Sequence, residues 1–213
     1  MTGSGVTAEL EPRWRALWRR AGGNGDGQAQ FVTLMARYAE PARSYHTLEH
    51  IADCLGELDR EQAAAERFDE AELALWFHDI VYDPRAGGNE ARSAELATRL
   101  LGDTHLGADA LARISGMILA TDHVAPPPRG DAELVCDADL AILGASADRY
   151  ARYVRQVSEE YAWVPAPIFR RERAAVLRRL LGRRWIYATP GFRERCEAAA
   201  RRNLGAELAE LER

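Results

Sequence analysis

Apolar residues recur at helical spacing along most of the chain, and no segment alternates polar and apolar residues convincingly at period two. Near the N-terminus, Leu10, Trp14, Leu17 and Trp18 follow the three-and-four spacing of an amphipathic helix. Glycine- and proline-containing stretches separate the later periodic segments. The pattern therefore predicts an all-α fold, a bundle of roughly ten helices. After the first helix, the predicted segments are 28–39, 45–58, 69–81, 89 or 93 to 101, 108–121, 132–143, 147–161, 168–181 and 192–211.

The segment 69–81 differs from the others because it is apolar nearly all round. Such a helix is typical of a protein core, so we expect it to be central and buried. It also contains the adjacent pair His78 and Asp79. A buried carboxylate is costly unless it is paired or coordinated, and a metal ion would satisfy both side chains at once.

The length and composition are those of an ordinary globular protein, with 213 residues, a net charge of -5 and 47% hydrophobic residues. We expect one domain over 1–213, with a core at about 28–163 and a C-terminal helical extension at about 164–213. The acidic balance argues against duplex nucleic acid as the main partner. The sequence shows no signal peptide and no membrane-spanning run, so we expect a cytoplasmic protein with no membrane partner.

Several catalytic classes lose their defining residues in this chain. It contains no lysine, which removes a Walker A lysine and a Schiff-base lysine, and it has neither GxGxxG nor GxSxG. The three cysteines, Cys54, Cys136 and Cys196, are far apart and form no CxxC pair. They are therefore interpreted as reduced, apolar side chains and not as a thiolate zinc site.

Histidine and aspartate occur together at several points along the chain. His46 and His50 are four residues apart, so on a helix their rings share one face. His123 follows an aspartate just before a proline-rich loop. Asp137 and Asp139 are two apart in a helical stretch, so only one of them is expected to face the same centre. Imidazole nitrogen and carboxylate oxygen together suit a divalent cation.

The order of these residues, His50, then His78–Asp79, then Asp139, resembles the HD superfamily of metal-dependent phosphohydrolases. The resemblance covers roughly residues 45–144, and the flanking helices are similar to those of a bacterial subfamily of HD proteins. It implies an HD-domain-like helical bundle with a metal site in its core. It also implies that His50, His78, Asp79 and Asp139 bind the metal, with Asp139 fitting the family pattern at the start of a helix better than Asp137.

The segment 45–50 is also similar to the corresponding segment of the cyclic-nucleotide phosphodiesterases, which are distant helical relatives of HD proteins. This similarity implies that His46 is a general acid that protonates the leaving oxygen and that His50 is a metal ligand. The nucleotide-pocket signature of those enzymes is missing from the rest of the chain. Their substrate is therefore not inferred for this protein.

The activity implied is hydrolysis of a small phosphate ester, possibly a nucleotide, by metal-activated water. One or two divalent ions would supply the chemistry, from among Mn, Mg, Zn, Fe, Co and Ni, by lowering the pKa of bound water to about 7. Asp79 could bridge a second ion, with His123 either binding metal or contacting substrate. Arg43 could bind a phosphate oxygen or form a surface salt bridge, and Glu90 could line the pocket mouth. The roles of Arg173, Arg201 and Tyr161, and the oligomeric state, stay open.

Two other functions fit parts of the pattern. Some HD-fold proteins hold a di-iron centre and oxidise their substrate with O₂, but they use additional histidine ligands. A catalytically silent HD module would bind a nucleotide without cleaving it. A structural helical protein with histidines in its core is the remaining alternative.

Overall fold

The computed structural model describes residues 3–213, with side chains from residue 5 onward. The fold in this range is all-helical, as the periodicity predicted. The ten α-helices are α1 (Gly3–Arg20), α2 (Gln28–Tyr38), α3 (Leu48–Arg60), α4 (Phe68–Phe77), α5 (Asn89–Leu100), α6 (Ala108–Ala120), α7 (Asp131–Asp139), α8 (Ala147–Glu160), α9 (Ala166–Leu181) and α10 (Pro190–Leu211). None of these helices is both long enough and apolar enough to cross a bilayer.

The contacts divide the chain into two compact units, the first ending at Ala138 and the second running from Asp139 to Arg213. The first unit contains α1 to α6 and all of α7 except its last residue. The second contains α8 to α10 and a short 3₁₀ segment, Leu140–Gly144. The single domain inferred from the sequence stays a prediction.

Helix α4 lies at the centre of the first unit, as its all-round apolar pattern predicted. Every residue from Ala71 to Phe77 is buried. Trp76 packs edge-on against Trp14 of α1 at 5.4 Å and against Phe31 of α2 at 6.5 Å between ring centroids. Aromatic pairs in this geometry add to the stabilisation from apolar burial, so α4 is held firmly by its neighbours.

One buried carboxylate in the first unit is neutralised by arginines. Glu72 of α4 accepts hydrogen bonds from Arg13 at 2.6 Å and from Arg20 at 2.8 Å, and both arginines come from α1. Burial raises the pKa of Glu72 above its ordinary value even though the two guanidinium groups oppose that shift. The interaction joins α1 to the buried face of α4.

The C-terminal end of α4 is buried. The carbonyls that have no partner within the helix are hydrogen-bonded to other groups there. The Leu75 carbonyl lies 2.9 Å from Nδ1 of His78, and the Trp76 carbonyl accepts a hydrogen bond from the Tyr38 hydroxyl at 2.9 Å. The Phe77 carbonyl accepts from the backbone N–H of Ile80 at 3.1 Å. A buried helix end is stable only when such groups are paired. The helix ends at Phe77 and not at 81, because the chain turns at His78.

Helix α3 also begins later than predicted. Thr47 adopts an extended conformation and its side chain accepts from the backbone N–H of Glu49, which makes Thr47 the N-cap. His50 is therefore on the helix, whereas His46 lies before it. The expectation that both rings share a helical face is wrong in this respect.

Helix α7 is shorter than the predicted segment 132–143. It ends at Asp139, and a 3₁₀ segment from Leu140 to Gly144 follows. Asp139 therefore occupies the last position of a helix and not the first turn of one. Gly144 is required by a close approach, because a Cβ at that position would lie 2.6 Å from the Cβ of Cys196 on α10.

The second unit is held by a buried network that joins α8, α9 and α10. Glu207 accepts two hydrogen bonds from Arg173, at 2.7 and 3.1 Å, and a short one from the Tyr150 hydroxyl. Arg173 also donates to the Tyr153 hydroxyl at 3.2 Å. Burial, followed by the Glu207 carboxylate, raises the pKa of Tyr150 well above its ordinary value, so this phenol stays a neutral donor.

Candidate metal centre

Two buried histidines from different helices meet in the first unit. His50 lies on the buried face of α3, and His78 immediately follows α4. The Nε2 atoms of the two rings are 3.1 Å apart, and the residues are 2% and 1% exposed. Two ring nitrogens at this distance can share a proton or bind one metal ion.

The ring of His78 is oriented by the end of its own helix. Its Nδ1 lies 2.9 Å from the carbonyl oxygen of Leu75, which can only accept a hydrogen bond. Nδ1 therefore carries a proton, and Nε2 is the ring nitrogen that faces His50. A backbone carbonyl that fixes the tautomer in this way is a common partner of metal-binding histidines.

The carboxylate of Asp79 lies beside both rings. Its Oδ2 is 3.1 Å from Nε2 of His78 and 3.6 Å from Nε2 of His50. Burial favours the neutral carboxyl, but His78 and then His46 outweigh it and hold the pKa of Asp79 below its ordinary value. The carboxylate of Asp79 therefore stays ionised, although Asp79 is not itself a member of the group of potential ligands that His50 and His78 form with two further residues.

Asp139 and Cys54 join the two histidines in one group. One ligand atom each from His50, Cys54, His78 and Asp139 all lie within 4.8 Å of one another. Asp139 is the last residue of α7. Asp137, which the sequence left as the alternative, is buried on the same helix and is not a member of this group.

The observed separations fit a single ion. A tetrahedral zinc ion with ordinary bond lengths holds two nitrogens about 3.3 Å apart, and a nitrogen and a sulfur about 3.6 Å apart. The two Nε2 atoms are 3.1 Å apart, and the Sγ of Cys54 is 3.6 Å from Nε2 of His50. Nitrogen, oxygen and sulfur donors in this arrangement are able to bind a divalent transition metal.

His46 lies at the side of this group. Its ring is 5.8 Å from that of His50 between centroids, and it stacks on Tyr82 at 4.2 Å. The residue is half-buried, whereas His50 and His78 are buried. His46 is therefore close to the metal-binding group without belonging to it.

Arg43 is tied to the backbone on either side of the group. Its Nη1 donates to the carbonyls of His46 at 3.1 Å and Asp79 at 2.7 Å, and its Nη2 donates to that of Ile80 at 3.2 Å. Nε and Nη2 also contact Glu40 at 3.4 Å, so all five N–H bonds have acceptors. This side chain is fully buried, and the salt bridge considered from the sequence forms with the half-buried Glu40 at 3.4 Å. Contact with substrate stays a prediction.

The other predicted site residues are placed as follows. His123 is half-buried after α6 with a positive φ of 52°, and Glu90 is half-buried in the first turn of α5. Neither belongs to the metal-binding group, and their predicted contacts with metal or substrate stay predictions. His105 is exposed, as expected. Arg173 pairs with Glu207, and Arg201 with Glu197 at 2.7 Å.

Cys54 is the member of the group that sequence analysis missed. The signal was present, since Cys54 follows His50 by four residues on one face of α3. A search restricted to CxxC pairs passes over such a cysteine. None of the three cysteines forms a disulfide in the described residues.

Comparisons with protein-family models, with curated proteins and with solved structures find no match to this chain. The structure itself establishes a helical protein in which two histidines, a thiol and a carboxylate form a group able to bind metal. In its donors and their helical setting, this group resembles an HD-like site.

Proposed function

We propose that this chain is a metal-dependent hydrolase of a small phosphate ester, with a nucleotide as one candidate substrate. The observation that carries the proposal is the convergence of His50, His78 and Asp139, with Asp79 beside them, in a buried part of the molecule. Two buried imidazoles and two half-buried carboxylates that face one another form a donor set suited to a divalent cation. Their order along the chain supports HD-type chemistry in particular.

His50, His78, Asp79 and Asp139 would hold the ion. When bound, a divalent ion supplies an activated water and polarises a phosphoryl oxygen. Asp79 is ionised at neutral pH because of the neighbouring histidines, so its oxygens are available as ligands. The Leu75 carbonyl keeps Nε2 of His78 directed towards the other candidate ligands.

His46 is suited to protonate the leaving oxygen. It lies outside the group of ligands, and stacking on Tyr82 fixes the plane of its ring. Arg43 binds the carbonyl of His46 and those of Asp79 and Ile80, so it connects the proposed acid to the turn that carries Asp79. A group positioned in this way acts as a general acid within hydrogen-bond reach of a bound ester.

The test combines metal analysis of the purified protein with a screen of phosphomonoesters, nucleotides and phosphodiesters in each candidate metal. We expect a bound divalent ion and metal-dependent turnover of at least one class. Asp79→Asn, which keeps the size of the side chain and removes its charge, should lose most of both. His105→Asn is the matched control because His105 is exposed and lies outside the group.

Unchanged turnover in Asp79→Asn would contradict the proposal, and so would a protein that binds no divalent ion. Iron-specific consumption of O₂ without phosphate release would instead favour the di-iron oxygenase. Tight nucleotide binding without turnover in any metal would favour the silent binding module.

A further inference from the structure

We propose that Cys54 is a ligand of the same ion, so that the site takes a thiophilic transition metal such as Zn²⁺, Fe²⁺ or Co²⁺ in preference to Mg²⁺ or Mn²⁺. This inference rests on the metal site of the proposed function and narrows the class of its cofactor. Thiolate sulfur is a soft donor that favours zinc and iron, whereas magnesium and manganese favour oxygen donors.

The first support is the position of the sulfur relative to His50. Cys54 Sγ lies beside the His50 ring, 3.6 Å from Nδ1 and 3.6 Å from Nε2, and Oδ2 of Asp79 is also 3.6 Å from Nε2. The spacing agrees with the separation of about 3.6 Å expected for nitrogen and sulfur on one tetrahedral zinc ion. On distance alone, the thiol is as well placed as Asp79.

The second support is that the sulfur faces more than its helical neighbour. A thiol that only filled space on α3 would need to contact His50 alone, since the two residues are one turn apart. The sulfur, however, also lies within 4.8 Å of ligand atoms on His78 and Asp139, which come from two other parts of the chain. Cys54 is therefore one of the side chains that converge on this point from different parts of the chain.

The third support is the burial of the thiol among these donors. Cys54 is 1% exposed, so bulk water cannot solvate a thiolate there. A bound cation stabilises the thiolate directly, and the thiol proton leaves to solvent as the metal–sulfur bond forms. Imidazole and thiolate donors together suit zinc and iron better than magnesium.

Cobalt is the probe that separates this inference from the proposed function, because a cobalt–thiolate bond gives an intense near-ultraviolet charge-transfer band. The full-length protein is stripped with a chelator and titrated with Co²⁺. We expect the band to grow to one equivalent in the wild type. Cys54→Ser should bind Co²⁺ without the band, and Cys196→Ser, which alters a cysteine outside the group, should keep it.

A competition between Zn²⁺ and Mn²⁺ provides the second measurement. Loss of a direct ligand should cost at least the 10- to 100-fold in affinity that outer partners of metal ligands contribute, so Cys54→Ser should weaken Zn²⁺ binding roughly 100-fold or more. Mn²⁺ binding should change by far less, since manganese gains little from sulfur. Cys54→Ala is the second variant should serine perturb folding, which circular dichroism checks.

The outcomes are separable. Stoichiometric Co²⁺ binding by the wild type without the band would overturn the role of Cys54 and leave the proposed hydrolase intact. Equal loss of Zn²⁺ and Mn²⁺ affinity in Cys54→Ser would also overturn the inferred preference. Absence of any Co²⁺, Zn²⁺ or Mn²⁺ binding by the wild type would overturn the metal site and the proposed function together.

Discussion

Two clusters of buried and half-buried polar side chains differ in how their burial is compensated. In the second unit, the Glu207 carboxylate meets the Arg173 guanidinium, and the charges compensate within the chain. At the candidate metal centre, His50, Cys54, His78 and Asp139 bring together atoms that can all serve as metal ligands. The first arrangement is complete as a structural element, whereas the second is arranged to receive a cation.

The contrast does not reflect a general difference between the two units. Glu72 lies in the first unit, and its negative charge is compensated by salt bridges with Arg13 and Arg20, in the same manner as that of Glu207. At both positions, arginine side chains stabilise the buried carboxylate. Arg43, the buried arginine next to the metal-binding group, binds backbone carbonyls and Glu40, which leaves the ligand atoms available to an ion.

The largest predicted effect breaks the compensated cluster. Glu207→Ala leaves Arg173 buried without its carboxylate, so the free energy of unfolding should fall by about 3–5 kcal/mol, measured by urea denaturation. Tyr150→Phe removes only one hydrogen bond to Glu207 and should cost about 1 kcal/mol. Metal affinity should stay unchanged in both variants. A weaker Co²⁺ affinity in Tyr150→Phe would show that the two clusters are not independent.

The second prediction concerns the binding of a metal ion to the other cluster. A metal ion present at 100 times its dissociation constant should raise the free energy of unfolding by about 2.7 kcal/mol. His78→Ala should abolish that increase, because it removes one of the two nitrogens that face each other. The increase should survive in His105→Asn. Thermal unfolding with and without Zn²⁺ measures it, and an equal increase in His78→Ala would place the ion elsewhere.

The smallest predicted effect is that of replacing Arg43, a buried arginine that lies beside the metal-binding group. Arg43→Lys keeps the charge but cannot reach all of the acceptors, so it should cost about 1–2 kcal/mol of stability. Metal affinity should fall by about 10-fold, as for other partners that position ligands.

Arg193→Lys is the matched control for this prediction. Arg193 also donates to backbone carbonyls, those of Tyr187 and Ala188, but it belongs to α10 in the second unit. We expect a similar loss of stability with unchanged metal affinity. Equal metal affinities in Arg43→Lys and wild type would leave Arg43 with a purely structural role.

Periodicity was sufficient to predict the helices, because the spacing of the apolar residues shows which side chains each helix buries. It could not predict where α3 and α4 begin and end at the site. Those boundaries depend on a local cap at Thr47 and on the turn at His78, both of which override the apolar pattern. The same two boundaries also determine how the candidate ligands are oriented.

The histidines and aspartates of the site could be found from the sequence because their order along the chain carries a family resemblance. Cys54 could not be weighed in that way, since its significance depends on its distance from residues 78 and 139 and not on spacing alone. Arg43 was singled out for its charge. Its acceptors include backbone carbonyls, and a pattern of side-chain types cannot predict such partners.

The enclosed end of α4 has a consequence for how the protein acquires its cofactor. Because the carbonyls of Leu75, Trp76 and Phe77 are each occupied by a partner within the chain, this end is held in place without an ion. Zinc fingers, by contrast, gain their fold only when metal arrives. Here the polypeptide would complete its folding first and be loaded afterwards, so different metals could be exchanged in turn on one intact scaffold.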